Sequence, residues 1–198
     1  MEYSRCLKVA EEMARIALEL GATAAGVINA NEIVVNPGLV TYCSKGCPSY
    51  NTSGNCPPHG PDARAFQLSL DWYQRAVVFK MDLPVSVLMG DARLPASRKL
   101  HGMAAALEGV AQGSGSTLTM GVATGGCRLL FCKNQNTCLK IESGCCRHEK
   151  LAKPSMSGLG VDFTALCRSL KWPLQKITSK SVPTEDEWGA MAGFVLVG

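Results

Sequence analysis

Residues 97–127, SRKLHGMAAALEGVAQGSGSTLTMGVATGGC, contain the pattern on which the predicted fold rests. The first part of the stretch places apolar side chains at steps of three and four, which predicts a helix over 97–112. Glycine and serine interrupt that pattern at 113–116, and the run 117–123 then predicts a strand. A helix and a strand that lead into a cysteine-containing loop indicate an α/β arrangement.

The same signals occur on both sides of this stretch. Helical spacing of apolar residues predicts helices over 4–20 and 61–73, the latter with Pro61 in its first turn, and a further helix beginning at Asp162. Short apolar runs predict strands at 24–28, 32–35, 76–83 and 193–197. Strands that alternate with helices favour a single α/β domain over residues 1–198, a layered domain with a mixed or mostly parallel sheet flanked by helices.

The composition restricts the class of protein. The chain has 198 residues, of which 46% are hydrophobic and 18% charged, as is typical of a globular protein. A net charge of +4 is too small to indicate a nucleic-acid partner. No apolar run reaches the roughly 18 residues of a membrane span, and the acidic residues near the start are unlike a secretory signal. We therefore expect a cytoplasmic protein, in which disulfides are rare and clustered cysteines favour a metal site.

Eight of the ten cysteines lie in two loops. The first cysteine loop is CSKGCPSYNTSGNCPPH (43–59), and the second cysteine loop is CRLLFCKNQNTCLKIESGCC (127–146). Each loop follows a predicted strand, so a parallel sheet would bring both loops to the same edge, where α/β sheets usually form their sites. The other two, Cys6 and Cys167, lie on the apolar faces of predicted helices, and we expect both to be core residues.

The second cysteine loop has the spacing C-x4-C-x5-C-x6-C-C. Four of its five thiols can surround one metal centre, and soft thiolates suit zinc or iron–sulfur clusters. The side chains of Cys145 and Cys146 diverge because the residues are adjacent, so we expect one of them to be spare. Structural zinc sites prefer two pairs spaced C-x2–4-C, and only Cys127 and Cys132 are that close here. The wide spacing therefore favours an iron–sulfur cluster, and zinc remains the alternative.

The first cysteine loop contains Cys43, Cys47 and Cys56, and the last of these is followed by Pro57 and Pro58. Three thiolates do not complete a tetrahedral metal site. The fourth ligand could be His59, a cysteine of the second loop or an exogenous molecule. In the simpler alternative the prolines stiffen a turn and Cys56 is a free thiol.

Histidine and basic residues surround the cysteines. His59 and His148 each lie beside a cysteine loop, where they could ligate a metal or donate a hydrogen bond to a cluster sulfur, or could be ordinary surface residues. His101 is predicted to be solvent-exposed on the 97–112 helix. The basic residues of the second loop could stabilise an anionic cluster, attract an acidic partner or form a solvated face. They are Arg128, Lys133, Lys140, Arg147, Lys150 and Lys153.

Two stretches together resemble a known family. CSKGCPSYNTSGNCPP (43–58), followed by GGCRLLFCKNQNTCLKIESGCCRHEKLAKPSMSGLGVD (125–162), is similar to the cysteine-rich family described as predicted metal-binding protein, a domain of unknown function found largely in anaerobic microbes. The family pattern has a cysteine loop ending in CPP and a four-cysteine loop that runs into CRHP and RPSMEAxGIDV. This chain departs from it at Glu149, where the pattern has proline, and at Ser157, where it has an acid.

The resemblance implies metal binding, with an iron–sulfur cluster as the expected group, and it implies no particular reaction. Carried over by motif, the four-cysteine set corresponds to Cys127, Cys132, Cys138 and Cys146, which makes Cys145 the spare residue. The CPP loop corresponds to Cys43, Cys47 and Cys56. An acid that did chemistry in relatives would be missing here, because Ser157 stands in its place.

Four functions remain open at this point. The favoured one is a protein with one 4Fe–4S cluster, or two, that serves electron transfer or a redox complex with a partner protein. The alternatives are a zinc-stabilised structural or interaction module, an enzyme with an open metal coordination position, and a disulfide scaffold. The sequence contains no P-loop, no G-x-S-x-G, no H-E-x-x-H and no G-x-G-x-x-G motif. Neither the substrate nor the oligomeric state is indicated.

Overall fold

The computed structural model describes residues 3–175, 177 and 181–198. A four-stranded sheet forms its centre, with β1 Ala24–Asn29, β2 Arg75–Pro84, β3 Thr119–Ala123 and β4 Trp188–Val197. The helices in the described residues are α1 Tyr3–Glu19, α2 Thr41–Ser44, α3 Ala63–Ser69, α4 Val85–Met89, α5 Arg93–Gly113, α6 Cys127–Phe131, α7 Leu139–Ser143 and α8 Phe163–Ser169. Short 3₁₀ helices lie at Ala30–Glu32, Pro37–Val40 and Leu70–Trp72.

The sheet is antiparallel throughout, with the strand order β1-β2-β4-β3. The expectation of a mixed or mostly parallel sheet was therefore wrong. One part of this expectation is correct, because β2 and β3 run in the same direction and α5 lies between them in the chain. The place between these two strands is occupied by β4, which pairs antiparallel with both. This is a split β-α-β arrangement, in which a helical crossover skips one strand position.

Helices and loops cover both faces of the sheet, so the central strands are apolar on both sides. Val77 and Phe79 of β2 belong to the core beneath α1 and α5. Ala76 and Val78 belong to the opposite core, which includes Phe66 of α3. Burial on both faces explains why β2 reads as a continuous apolar run rather than an alternating one.

Most of the predicted elements are present, with shifted ends. The helix predicted at 4–20 is α1, and its inward positions Cys6 and Met13 are fully buried, as is expected of an amphipathic helix. The other helix cysteine, Cys167 of α8, is also buried, so both core assignments are confirmed. Asp162 begins α8 as predicted, because its side chain accepts a hydrogen bond from the Ala165 N–H at 3.1 Å.

Two local predictions were wrong for identifiable reasons. The strand predicted at 32–35 is absent from the described structure, because the Glu32 side chain accepts from the Asn29 N–H at 2.7 Å and closes a 3₁₀ turn. The predicted 61–73 helix begins only at Ala63, since Asp62 accepts from the N–H groups of Arg64 and Ala65 and Pro61 lies before it. It ends at Ser69 and continues as a 3₁₀ turn.

Within the described residues, no helix combines the length and apolar character that crossing a bilayer requires. The ten cysteines all lie in that part of the chain, and none of them forms a disulfide.

Candidate metal centre

The two cysteine loops meet beyond the end of β3. The second loop begins there, with Cys127 in the first turn of α6 and Cys138 directly before α7. The segment that follows the second loop connects β3 to the first loop. The Ala123 N–H of β3 donates to Pro154 O, and the Ser155 N–H donates to Asn55 O at 3.4 Å. The predicted proximity of the loops is therefore observed, although it does not arise from parallel strands.

Residues of the first loop form hydrogen bonds with the thiols of the second. The Gly54 N–H donates to Cys138 Sγ at 3.3 Å, and Ser53 Oγ lies 3.2 Å from Cys127 Sγ. Asn55 Nδ2 lies 3.7 Å from the same Cys127 sulfur and donates to Ala152 O at 2.7 Å. Ser53 and Asn55 are buried, so these contacts lie away from solvent. The first loop thus forms one wall around the sulfur atoms of the second.

Four of the five second-loop cysteines line one small cavity of about 20 Å³. They are Cys127, Cys132, Cys138 and Cys146, and residues 53–55 close the other side. Cys145 does not line the cavity, and its side chain is exposed. In the described part of the chain, no three His, Cys, Asp or Glu side chains converge closely enough to hold one ion. The four thiols thus surround a shared space without meeting at a single point.

The charge state of these thiols is set by burial and by their hydrogen bonds. Burial raises the pKa of Cys127, and the nearby Cys146 and Cys138 add to it, while the bonds from Ser53 and Asn55 oppose it. Burial also raises the pKa of Cys132. Cys138 differs: burial raises its pKa, but backbone N–H donors and Arg128 outweigh that effect, so its pKa lies below the ordinary value. Cys138 is therefore the member of the set best prepared to be a thiolate.

Arg128 and Arg147 hold the second loop in shape and place positive charge beside the sulfurs. Arg128 Nη2 donates to Gln135 O at 2.8 Å and Asn136 O at 3.0 Å, and Arg147 Nη1 donates to Thr137 O at 3.0 Å. The other terminal nitrogen, Arg128 Nη1, is buried with no hydrogen-bond partner among the described residues. Because Arg128 lines the thiol cavity, this unsatisfied donor fits an anionic group bound there.

The remaining basic residues of the second loop do not form one solvated face. Lys140 Nζ donates to Asn55 Oδ1 at 2.6 Å, which ties α7 to the first loop. Lys153 is buried and forms an ion pair with Glu108 of α5. Glu108 also accepts from the Gly121 N–H of β3 at 2.5 Å, so this pair connects the sheet to the segment after the second loop.

The first-loop cysteines lie close to the second-loop set. Cys43 and Cys56 are buried, and Cys47 is exposed. Burial, followed by the proximity of Cys127, raises the pKa of Cys56 to about 12. Cys43 and Cys47 also raise the pKa of Cys56, so this thiol lies between the two groups of cysteines. His59 is exposed, and its Nε2 lies 2.8 Å from Asn51 Oδ1.

The other two histidines contact the second loop or the residues next to it. The backbone N–H of His148 donates to Cys146 Sγ at 3.4 Å, and its ring packs against Phe131, with the centroids 5.7 Å apart. The expectation that His101 is exposed was wrong, because its ring is fully buried. Its Nε2 lies 3.1 Å from Gly125 O, and its Nδ1 lies 3.1 Å from both Leu151 O and the Lys153 N–H. His101 thus connects α5 to both ends of the second loop.

Ser53, Gly54 and Asn55 are contributors to the site that sequence reasoning missed. The only signal was the polar run NTSGN directly before Cys56, which is equally typical of a turn. Nothing in its spacing shows that these residues face Cys127 and Cys138, since more than seventy positions separate Ser53 from Cys127. The contact is produced by the fold rather than by a local motif.

Comparison with known proteins agrees with the chemistry of the site. No curated protein and no solved structure matches the chain. The family described as "Predicted metal-binding protein (DUF2284)" matches residues 26–197, a range that contains both cysteine loops and all four strands except the first two residues of β1. This range is most of the 198 residues. The chain therefore belongs to this family of predicted metal-binding proteins.

Proposed function

We propose that Cys127, Cys132, Cys138 and Cys146 hold a 4Fe–4S cluster that serves electron transfer or a redox complex with a partner protein. The observation that carries the proposal is the set of four thiols around one cavity, which the basic residue Arg128 also lines. Thiolates are the usual ligands of such clusters. When bound, the cluster would supply reversible one-electron transfer.

The surroundings of the thiols suit an anionic group. A cluster held by four thiolates is negatively charged, and hydrogen bonds to its sulfurs adjust its reduction potential. Donors of this kind already reach three of the four sulfurs, from Ser53 and Asn55 to Cys127, from Gly54 to Cys138 and from His148 to Cys146. A reducing compartment such as the cytoplasm would keep the ligands as free thiols.

Zinc is the second candidate, and the size of the cavity favours it. A space of about 20 Å³ suits a group the size of one ion or one water. Tetrahedral zinc–thiolate bonds of about 2.3 Å would draw the sulfurs to within about 3.8 Å of each other. A 4Fe–4S cluster is larger than this space. Under zinc, the same four cysteines would hold the loops together as a structural or interaction module.

A further metal at Cys43, Cys47 and Cys56 forms the second part of the proposal. Three thiols leave one position for His59, for a second-loop cysteine or for an exogenous ligand. The proximity of Cys56 to Cys127 supports the second of these, because it places a second-loop thiol beside the first group. A position left open to an exogenous molecule would let the metal bind a substrate, which is the further alternative of an enzyme with an open metal site.

The deciding experiment measures iron, zinc and acid-labile sulfide per chain, with a visible absorption spectrum, on protein purified without oxygen. Equal iron and sulfide of about four per chain supports one cluster, and about eight supports two. Cys138→Ser should lose the metal of the second loop. Cys145→Ser is the matched control and should retain it, because Cys145 lies outside the cavity. Zinc without sulfide would support the second candidate, the zinc-stabilised module. Wild-type protein that binds neither metal would refute both candidates.

A further inference from the structure

A second, larger cavity lies on the outer side of the first cysteine loop. It is an open groove of about 420 Å³, within the size range of small-molecule sites. Its lining is mostly apolar, with Tyr50, Pro57 and Pro58 from the first loop and Val40 from the preceding 3₁₀ turn. None of the four second-loop thiols lines it. The groove is therefore separate from the candidate metal centre.

The walls of the groove are held in place by contacts of the first loop. Asn51 is fixed at two points, since its N–H donates to Pro57 O at 2.9 Å and its side chain meets the His59 ring. Gly158 lies against the groove, and a Cβ there would come within 2.8 Å of Pro57 Cδ. Proline and close packing limit the movement of these walls, so the groove is formed before any ligand arrives.

The charged side chain of Arg64 lies at the rim of the groove and has no partner in the described part of the chain. The groove is lined by two charged residues, Asp62 and Arg64. One oxygen of Asp62, Oδ1, accepts from the N–H groups of Arg64 and Ala65 at 2.9 and 3.0 Å, which fixes this carboxylate at the start of α3. The Arg64 side chain is exposed and forms no hydrogen bond or ion pair with the described residues. A guanidinium next to an apolar wall recognises an oxyanion such as a carboxylate or a sulfonate.

We propose that this groove binds a small organic anion, with its apolar body against Tyr50 and the prolines and its acidic group on Arg64. The site lies next to the first-loop cysteines, since Thr41 and Ser44 of α2 flank Cys43 and also line the groove. Pro57, which follows Cys56, forms part of the same wall. If the proposed metal at the first loop is present, the bound anion is the substrate or effector of that centre. That last assignment rests on the proposed function, whereas binding itself does not.

The test uses the protein as purified without oxygen, with its metal content measured on the same preparation. The probe is anilinonaphthalene sulfonate, an aromatic anion whose fluorescence rises when it is bound. Wild-type protein should bind it saturably, and Arg64→Gln should weaken the affinity about tenfold. Val40→Trp, which fills the groove, should abolish the binding. Arg168→Gln is the matched control, because Arg168 is an exposed arginine that does not line the groove.

A neutral analogue separates charge recognition from damage to the fold. Phenylnaphthylamine has the same rings without the sulfonate, so Arg64→Gln should leave its affinity unchanged while Val40→Trp should still abolish it. The proposal is overturned if wild-type binding is not saturable, or if Arg64→Gln and Arg168→Gln weaken sulfonate binding equally. Metal analysis of the same preparations is independent of these titrations, so failure of the groove and failure of the metal proposal can be told apart.

Discussion

At the scale of single residues, Asn55 holds the two cysteine loops together. Its amide accepts from Lys140, donates to Ala152 and reaches the Cys127 sulfur. We expect Asn55→Ala to lower the free energy of unfolding by about 1–3 kcal/mol, since it leaves buried polar groups without partners. It should also reduce the metal bound per chain. Urea unfolding and metal analysis check both effects, with Asn134→Ala as the exposed control. Equal stability of the two variants would contradict this role.

His101 makes the stability depend on pH. Burial lowers its pKa, so the folded protein favours the neutral ring and the unfolded chain binds the proton more readily. Its contribution to stability is therefore complete above the unfolded pKa of about 6.5 and is lost as the pH falls towards the lower folded pKa. We expect His101→Gln to show a smaller loss of stability between about pH 7 and pH 5.5 than wild type. Urea unfolding at each pH measures this, and His59→Gln, at an exposed histidine, should behave as wild type.

At the scale of elements, the junction between β3 and α6 depends on a glycine. A Cβ at Gly126 would overlap Ser49 and lie 3.6 Å from Cys56 Sγ, so the two loops touch where no side chain intervenes. We expect Gly126→Ala to cost about 1–3 kcal/mol and to reduce metal retention. Adding Ser49→Gly should recover part of the loss. In α5, where a Cβ at Gly102 would meet nothing within 4 Å, Gly102→Ala should instead stabilise by about 0.5–1 kcal/mol. A stable, metal-loaded Gly126→Ala protein would show that the loops can separate freely.

At the scale of the whole molecule, the sheet and the candidate metal centre are largely independent. The two apolar cores contain none of the eight loop cysteines. We therefore expect metal removal to leave the sheet folded and to loosen mainly the two loops. Hydrogen–deuterium exchange should stay slow in β2 and β4 and should accelerate at 43–59 and 124–152. Cooperative unfolding of the entire chain on metal removal would contradict this separation.

The elements of secondary structure that depend on local sequence patterns could be predicted from the sequence. Helices α1 and α5 and strand β2 follow from their apolar spacing, because burial of one face or of both faces selects that spacing. Strand pairing could not be predicted in the same way, since β4 takes its place between β2 and β3 only in three dimensions. His101 was misread for a similar reason: the backbone groups that satisfy its neutral ring belong to Gly125 and Lys153, 24 and 52 positions away.

The candidate site likewise has a part that the sequence predicts and a part that only the fold reveals. The thiol chemistry is evident from composition, and the choice of Cys146 over Cys145 came from the family motif. The structure places Cys146, and not Cys145, at the cavity. The donors from residues 53–55 and the position of Cys56 beside Cys127 are long-range contacts, and no spacing within either loop encodes them.

The position of β4 has a consequence for biosynthesis. Because β4 follows every other strand in the chain yet pairs with both β2 and β3, translation completes both cysteine loops before the sheet that anchors them can close. Until β4 has left the ribosome, β2 has one unpaired side and β3 has no strand partner within the sheet. The nascent chain therefore exposes its thiols while it still lacks a folded frame, and stable binding of the metal would follow the emergence of β4 rather than the synthesis of the cysteine loops.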